Sequence, residues 1–169
     1  MMTVADAPIR SSLVSECARY RYQMTEEWGP GDRSIAWVML SPRRIDEVAD
    51  RTAEHVGAFS RRWGYDRMTI VNIFAARVLE PEELAVTEDP VGPENRWFVH
   101  HAVTDSELVI VGWGDGIRYA RSRPGTLEEL AGLRRANAAM LCFGLTEAGN
   151  PVHPATVPVS AIPIVWTVT

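Results

Sequence analysis

The chain has no lysine: all 17 of its basic residues are arginine. That excludes a phosphate loop built around a lysine ammonium. An all-arginine set reflects GC-rich coding as readily as chemistry and carries little weight alone. Cysteine is almost as scarce. Cys17 and Cys142 are the two present, and neither has metal-ligand spacing. They are expected to be reduced and buried, as in a cytoplasmic protein. No apolar run approaches the roughly 18 residues a membrane-spanning helix needs. No basic segment followed by an apolar core opens the sequence, so no secretory signal is expected. Repeats and low-complexity segments are also missing. With a net charge of −5, tight non-specific binding to duplex DNA is disfavoured, because phosphate neutralisation drives it.

What remains is ordinary globular composition, 46% hydrophobic and 23% charged over 169 residues. That suits one domain large enough to bury a core. Residues 1–12 read as a flexible leader and 13–169 as a single α/β domain. Cys17 to Thr25 and Ser34 to Leu40 are extended, and the turn Trp28-Gly29-Pro30-Gly31-Asp32 between them suggests a hairpin. Ile45 to Trp63 has helical spacing with a Val48, Val56, Phe59 stripe, and Gly64 ends it. Met68 to Ala75, Leu108 to Trp113 and Ala139 to Phe143 are further strands. Pro93 suits the first turn of a helix reaching Val103. A short helix is expected at Glu80 to Leu84. Another spans Thr126 to Asn137, where Thr126 and Glu129 have capping-box spacing.

Near-continuous apolar strands alternating with helices imply a parallel sheet covered on both faces. In such sheets ligands bind beyond the carboxyl ends of the strands. Four loops therefore matter. The first is Ser41-Pro42-Arg43-Arg44. The second follows Asn72, a polar amide inside Ile70-Val71-Asn72-Ile73-Phe74, and continues to Arg77. The third is Gly112-Trp113-Gly114-Asp115-Gly116. The fourth delivers His153, held between Pro151 and Pro154. Asn72 either ties down a neighbouring loop or reads a ligand edge bearing a donor and an acceptor. Trp113 stacks on a base or caps the core. The glycines permit close backbone approach but lack dinucleotide-loop spacing. Asp46 and Asp50, with Ser41, are the candidates for orienting a water; the same acids also complement a helix dipole. Arg43 and Arg44 lie where an anion would meet that helix start. His153 can donate a hydrogen bond to, or share a proton with, a small polar molecule. His55 reads as structural or exposed. His100-His101 has no cysteine or acid at ligand spacing, so neither metal nor cofactor is expected.

The chain resembles the bacterial and phage domain-of-unknown-function family sixteen forty-three. The likeness rests on Tyr20-Arg21-Tyr22, Met39-Leu40 with Pro42, Trp63-Gly64-Tyr65, and Val71-Asn72-Ile73-Phe74-Ala75 with Arg77. It continues through Asp89-Pro90-Val91-Gly92-Pro93-Glu94-Asn95, Trp113-Gly114, and Gly144-Leu145-Thr146 to His153-Pro154. These occur in one order over about 135 residues.

That family in turn looks like a relative of the uracil-DNA glycosylase superfamily. This second likeness implies a three-layer α/β/α sandwich around a mainly parallel four-stranded sheet, with an added N-terminal antiparallel strand or hairpin. It also places four glycosylase motifs on Ser41-Pro42, Asn72, Trp113-Gly114 and His153-Pro154. The departures are Ser41 where the family usually has asparagine, and Ala49-Asp50-Arg51-Thr52 where it tends to have Asp-Asp-Pro-Thr. No serine-bearing wedge loop follows His153-Pro154, and extracting a base from a duplex needs such a wedge.

The expectation is an N-glycosidic bond hydrolase acting on a nucleotide, a nucleoside or a modified base. In it Asn72 reads the base, His153 stabilises the departing base, and Ser41, Asp46 or Asp50 holds water. Pro42, Arg43, Arg44, Arg77, Trp113, Gly114 and Pro154 would line the substrate. The alternatives are a nucleotide-binding or sensor module without chemistry and a tailoring enzyme of a nucleotide-derived small molecule. A small nucleotide or nucleoside, or a single strand of nucleic acid, is the expected partner, and a membrane is not. The six tryptophans, Trp97 and Trp166 among them, suit a dimer patch or core packing equally.

Overall fold

The computed structural model describes residues 7–43, 50–136 and 139–167. It contains seven strands and three α-helices: β1 Ile9–Val14, β2 Arg21–Glu27, β3 Ser34–Met39, α1 Arg51–Arg62, β4 Arg67–Asn72, α2 Asn95–Asp105, β5 Leu108–Val111, α3 Thr126–Ala136, β6 Met140–Cys142 and β7 Ile164–Val165. One open sheet has the order β1-β2-β4-β3-β5-β6-β7. Its four central strands, β4, β3, β5 and β6, are parallel, while β1, β2 and β7 run antiparallel to their neighbours. The expected parallel centre is present. The sheet around it is larger than the four strands plus hairpin anticipated.

Strand alternation sorts the core into two layers. Ile35, Trp37 and Met39 of β3 join Met68 and Ile70 of β4 and pack against Ala53, Val56 and Phe59 of α1. Ala36 and Val38 face the other way, with Val71, Val109 and Val111, against Val99 and Val103 of α2 and Leu130 and Leu133 of α3. Each fully buried side chain such as Val56 or Phe59 contributes about 1.5–3 kcal/mol. Trp37 carries a polar atom into that layer, and its Nε1 donates to Ser60 Oγ at 3.0 Å. Asp50 caps α1 by accepting from the Thr52 and Ala53 amides, and Gly64, at φ 77, follows the last turn. The helix expected from Ile45 is thus described from Arg51. Residues 44–49, which include Arg44 and Asp46, lie outside the described residues.

Three expectations change. The 17–25 and 34–40 segments do not pair, because β4 lies between them. The 28–32 turn instead closes over the start of β4, with the Trp28 and Gly29 amides donating to the Asp66 carbonyl. Insertion gives the apolar β4 a ladder on each side, whereas a β2–β3 hairpin would leave it at an edge. Ile9–Val14, partly within the expected leader, forms edge strand β1, tied across to β2 by Arg10 and the buried Glu26 at 2.8 Å. Arg61 of α1 reaches the same carboxylate at 2.7 Å. Cys142 is buried as expected, but Cys17 is exposed on the tight turn between β1 and β2. There a hydrogen bond with Ser15, then interactions with Arg19, lowers its thiol pKa to about 7. Among the described residues, no helix is long and apolar enough to cross a membrane.

Candidate functional site

The carboxyl ends of β3, β4 and β5, with the loop after β6, surround a cavity of about 270 Å³. Ser41, Arg43, Asp50, Asn72, Trp113, Gly114 and His153 all line it. The imidazole and the carboxamide, far apart in sequence, therefore share one cleft.

Asn72 ends β4 and is almost wholly buried. Its Nδ2 has no hydrogen-bond partner among the described residues. An unsatisfied buried donor costs about 1–3 kcal/mol, so its position on a cavity wall is chemically informative. The loop-tying role falls to another amide. Asn95, the first residue of α2, donates from Nδ2 to the carbonyls of Asn72 at 2.8 Å and Ile73 at 3.1 Å. The helix start thereby fixes the backbone that presents Asn72.

His153 arrives on a stapled loop. Thr146 and Asn150 close a turn by Thr146 N to Asn150 O at 2.8 Å, and the Val152 amide donates to the Gly144 carbonyl. Asp115, on the loop after β5, accepts from Thr146 Oγ1 at 2.6 Å and Asn150 Nδ2 at 2.7 Å. Those bonds, Asn150 first, hold its carboxyl below the usual range. Arg121 donates to Asn150 Oδ1 at 2.6 Å. At the loop's end His153 Nδ1 accepts from the Ala155 amide at 3.3 Å. That bond places the proton of a neutral ring on Nε2. Burial depresses the imidazole pKa, Asp50 opposes this, and Arg43 adds to it. A neutral ring with an Nε2–H to offer is the consequence.

Glycine is required beside it. Gly114 has φ 66 and ψ −166, a region essentially closed to other residues. A Cβ on Gly112 would lie 2.7 Å from Pro154 Cδ. Close packing of the β5 end against Pro154 thus sets the approach of the histidine loop.

Several expected residues have other duties. Pro154 is buried beneath that contact and Pro42 is buried with its carbonyl accepting from the Val78 amide, so neither lines the cavity. Arg77 borders a different cavity and donates to the Ala18 carbonyl at 3.1 Å, holding the β1–β2 turn. Trp113 is buried against Trp166, edge to face at 5.3 Å, while still reaching the cavity wall. Asp50 Oδ1 is engaged by the helix cap. His55 donates to the Val157 carbonyl at 2.7 Å, a structural tie. His101 stacks on Trp97 at 3.9 Å. Among the described residues no three His, Cys, Asp or Glu side chains gather as a metal site would need.

Arg21, Thr52 and Pro81 line the cavity and were not anticipated, while Asp115 lines it from the third of the expected loops. Arg21 lies on β2, and only the insertion of β4 brings it there. The sequence signal was its charge amid the apolar-alternating Tyr20-Arg21-Tyr22 segment.

The family model described as Protein of unknown function (DUF1643) matches residues 21–155. The chain belongs to that family. The matched span includes every residue lining the cavity and leaves out β1 and β7. No curated protein and no solved structure matches the chain.

Proposed function

We propose that this member of the family cleaves the N-glycosidic bond of a small nucleotide, nucleoside or modified base. The observation carrying this reading is that Asn72 Nδ2, without a partner among the described residues, and His153, whose pKa burial lowers, line one cavity. Asn72 Nδ2 donates to an acceptor on the base edge. As the C1′–N bond breaks, its electron pair passes to the base, and His153 Nε2–H stabilises the charge developing there. A water positioned by Ser41 or Asp50 adds to the oxocarbenium-like sugar, and the proton it loses passes to the departing base. Arg43, with Arg21 on the wall, supplies positive charge for a phosphate. A cavity of about 270 Å³ sits near the roughly 300 Å³ lower end of ligand pockets. It suits one nucleoside unit, not a duplex. The likeness to uracil-DNA glycosylases agrees with this reading.

The test is incubation of the protein with nucleosides, nucleotides and short single strands, followed by chromatography for free base. One hydrogen bond to developing charge is worth about 3 kcal/mol. His153→Ala is therefore expected to release base about a hundredfold more slowly, with thermal stability nearly unchanged. An unchanged rate removes His153 from the chemistry.

One observation favours a second reading, a nucleotide-binding module without chemistry. Asp50 Oδ1 is already committed to capping α1, which leaves Ser41 to hold water with little help. Saturable nucleotide binding with no base released over hours decides for that reading.

A further inference from the structure

A second cavity, of about 280 Å³, opens between α2 and α3 and shares no described residue with the first. Its floor is apolar, formed with Val99 and Leu133. Into it is set Glu129, only 2% exposed, whose Oε1 makes no hydrogen bond among the described residues. Arg96 Nε lies 3.6 Å from that oxygen, an ion-pair separation beyond hydrogen-bonding range. Arg135 and His100 stand at the rim.

Two features cost stability without improving the packing. A carboxyl with an unsatisfied oxygen is buried where an apolar side chain would fill the space. Gly132, in the middle of α3, costs about 1 kcal/mol relative to alanine. A Cβ there would meet nothing within 4 Å among the described residues. The glycine keeps the cavity open, and the carboxyl gives it one strong acceptor. Such costs gather at binding sites.

We propose that this cavity binds a free apolar α-amino acid as its zwitterion. The ammonium donates to Glu129 Oε1, satisfying the buried acceptor. The carboxylate meets the guanidinium of Arg96 or Arg135, which suits planar carboxylate recognition. The side chain fills the space against Val99 and Leu133 that Gly132 leaves open. Three chemically different walls thus match three parts of one small molecule.

The experiment measures the melting temperature and calorimetric binding of the full chain with L-leucine and L-phenylalanine at millimolar concentration. Leucinamide, lacking the carboxylate, and 4-methylpentanoic acid, lacking the amine, are the matched probes. The amino acid is expected to raise the melting temperature saturably, and each truncated probe to bind at least tenfold more weakly. Gly132→Leu, which fills the cavity, is expected to abolish binding. Glu129→Gln should weaken it at least tenfold while remaining folded. The proposal is overturned if no zwitterion binds the wild type, or if binding persists undiminished in both variants. Equal binding of leucine and 4-methylpentanoic acid also overturns it, because Glu129 would then have no ligand role.

Discussion

Replacing Glu129 with glutamine should make the protein more stable at pH 8 and leave it nearly unchanged at pH 5. Burial raises the Glu129 pKa from 4.5 to about 7, with Arg96 opposing and Glu128 adding slightly. The folded state therefore keeps a proton that the unfolded chain has already lost between those values. Stability contributed by this group falls as pH rises from 4.5 to about 7 and then levels off. A displacement of about 2.5 pH units corresponds to ~3 kcal/mol at most. Solvent at the cavity mouth screens part of it, which leaves roughly 1–3 kcal/mol. Glutamine has the same shape but no charge to desolvate. Urea unfolding of both proteins at pH 5 and pH 8 gives four free energies. The wild type is expected to lose roughly 1–3 kcal/mol more than the variant between the two pH values. Arg96 and His100 on α2, and Glu128 and Arg135 on α3, are present in both proteins, so the comparison isolates the carboxyl of residue 129. Identical pH slopes for the two proteins would refute the argument, since Glu129 would then be ionised in the fold without penalty.

Two further outcomes follow from local geometry. Gly114→Ala forces a side chain into backbone space reserved for glycine and should cost about 1–3 kcal/mol. That loss should lower the melting temperature by several degrees in a domain of this size, and under the proposed function it should also slow base release; an unshifted melting curve would show the loop relaxing freely. Cys17, exposed with a pKa of about 7, should be alkylated by iodoacetamide in the native state while buried Cys142 is spared, with a rate midpoint near pH 7. Ser15→Ala removes the largest cause of the lowering and should move that midpoint upward.

The parts of the fold that were legible are those decided locally. The apolar runs of β3 to β6 and the Val56 and Phe59 stripe of α1 each require burial whatever their neighbours. Pairing partners are not local. Tyr20-Arg21-Tyr22 and Ser34 to Leu40 are joined by a turn-rich link that suits a hairpin. Nothing in either segment says that Met68 to Asn72 inserts between them, because that choice is settled by the burial of β4. The position of Arg21 in the first cavity follows from that insertion and was hidden with it. Thr126 and Glu129 show the converse case. Their spacing suits a capping box, yet Thr126 Oγ1 donates to the Ala120 carbonyl at 2.9 Å and Glu129 turns into the α2–α3 cavity. Tertiary burial there overrides the local motif.

Asn72 marks the limit of what one residue can reveal. A carboxamide in an apolar strand announces that a polar group needs partners, and it fits a structural fastener as well as a ligand reader. The distinction requires knowing whether some other group does the fastening. Here Asn95 does it, from a helix 23 positions later in the chain, by holding the Asn72 carbonyl. Asn95 is itself buried and structural, and its removal would let the end of β4 shift, while the Asn72 side chain spends its donor on no described protein atom. Two asparagines that look alike in composition are thus separated by what each Nδ2 touches. The one with no partner among the described residues is the one on the cavity wall beside His153.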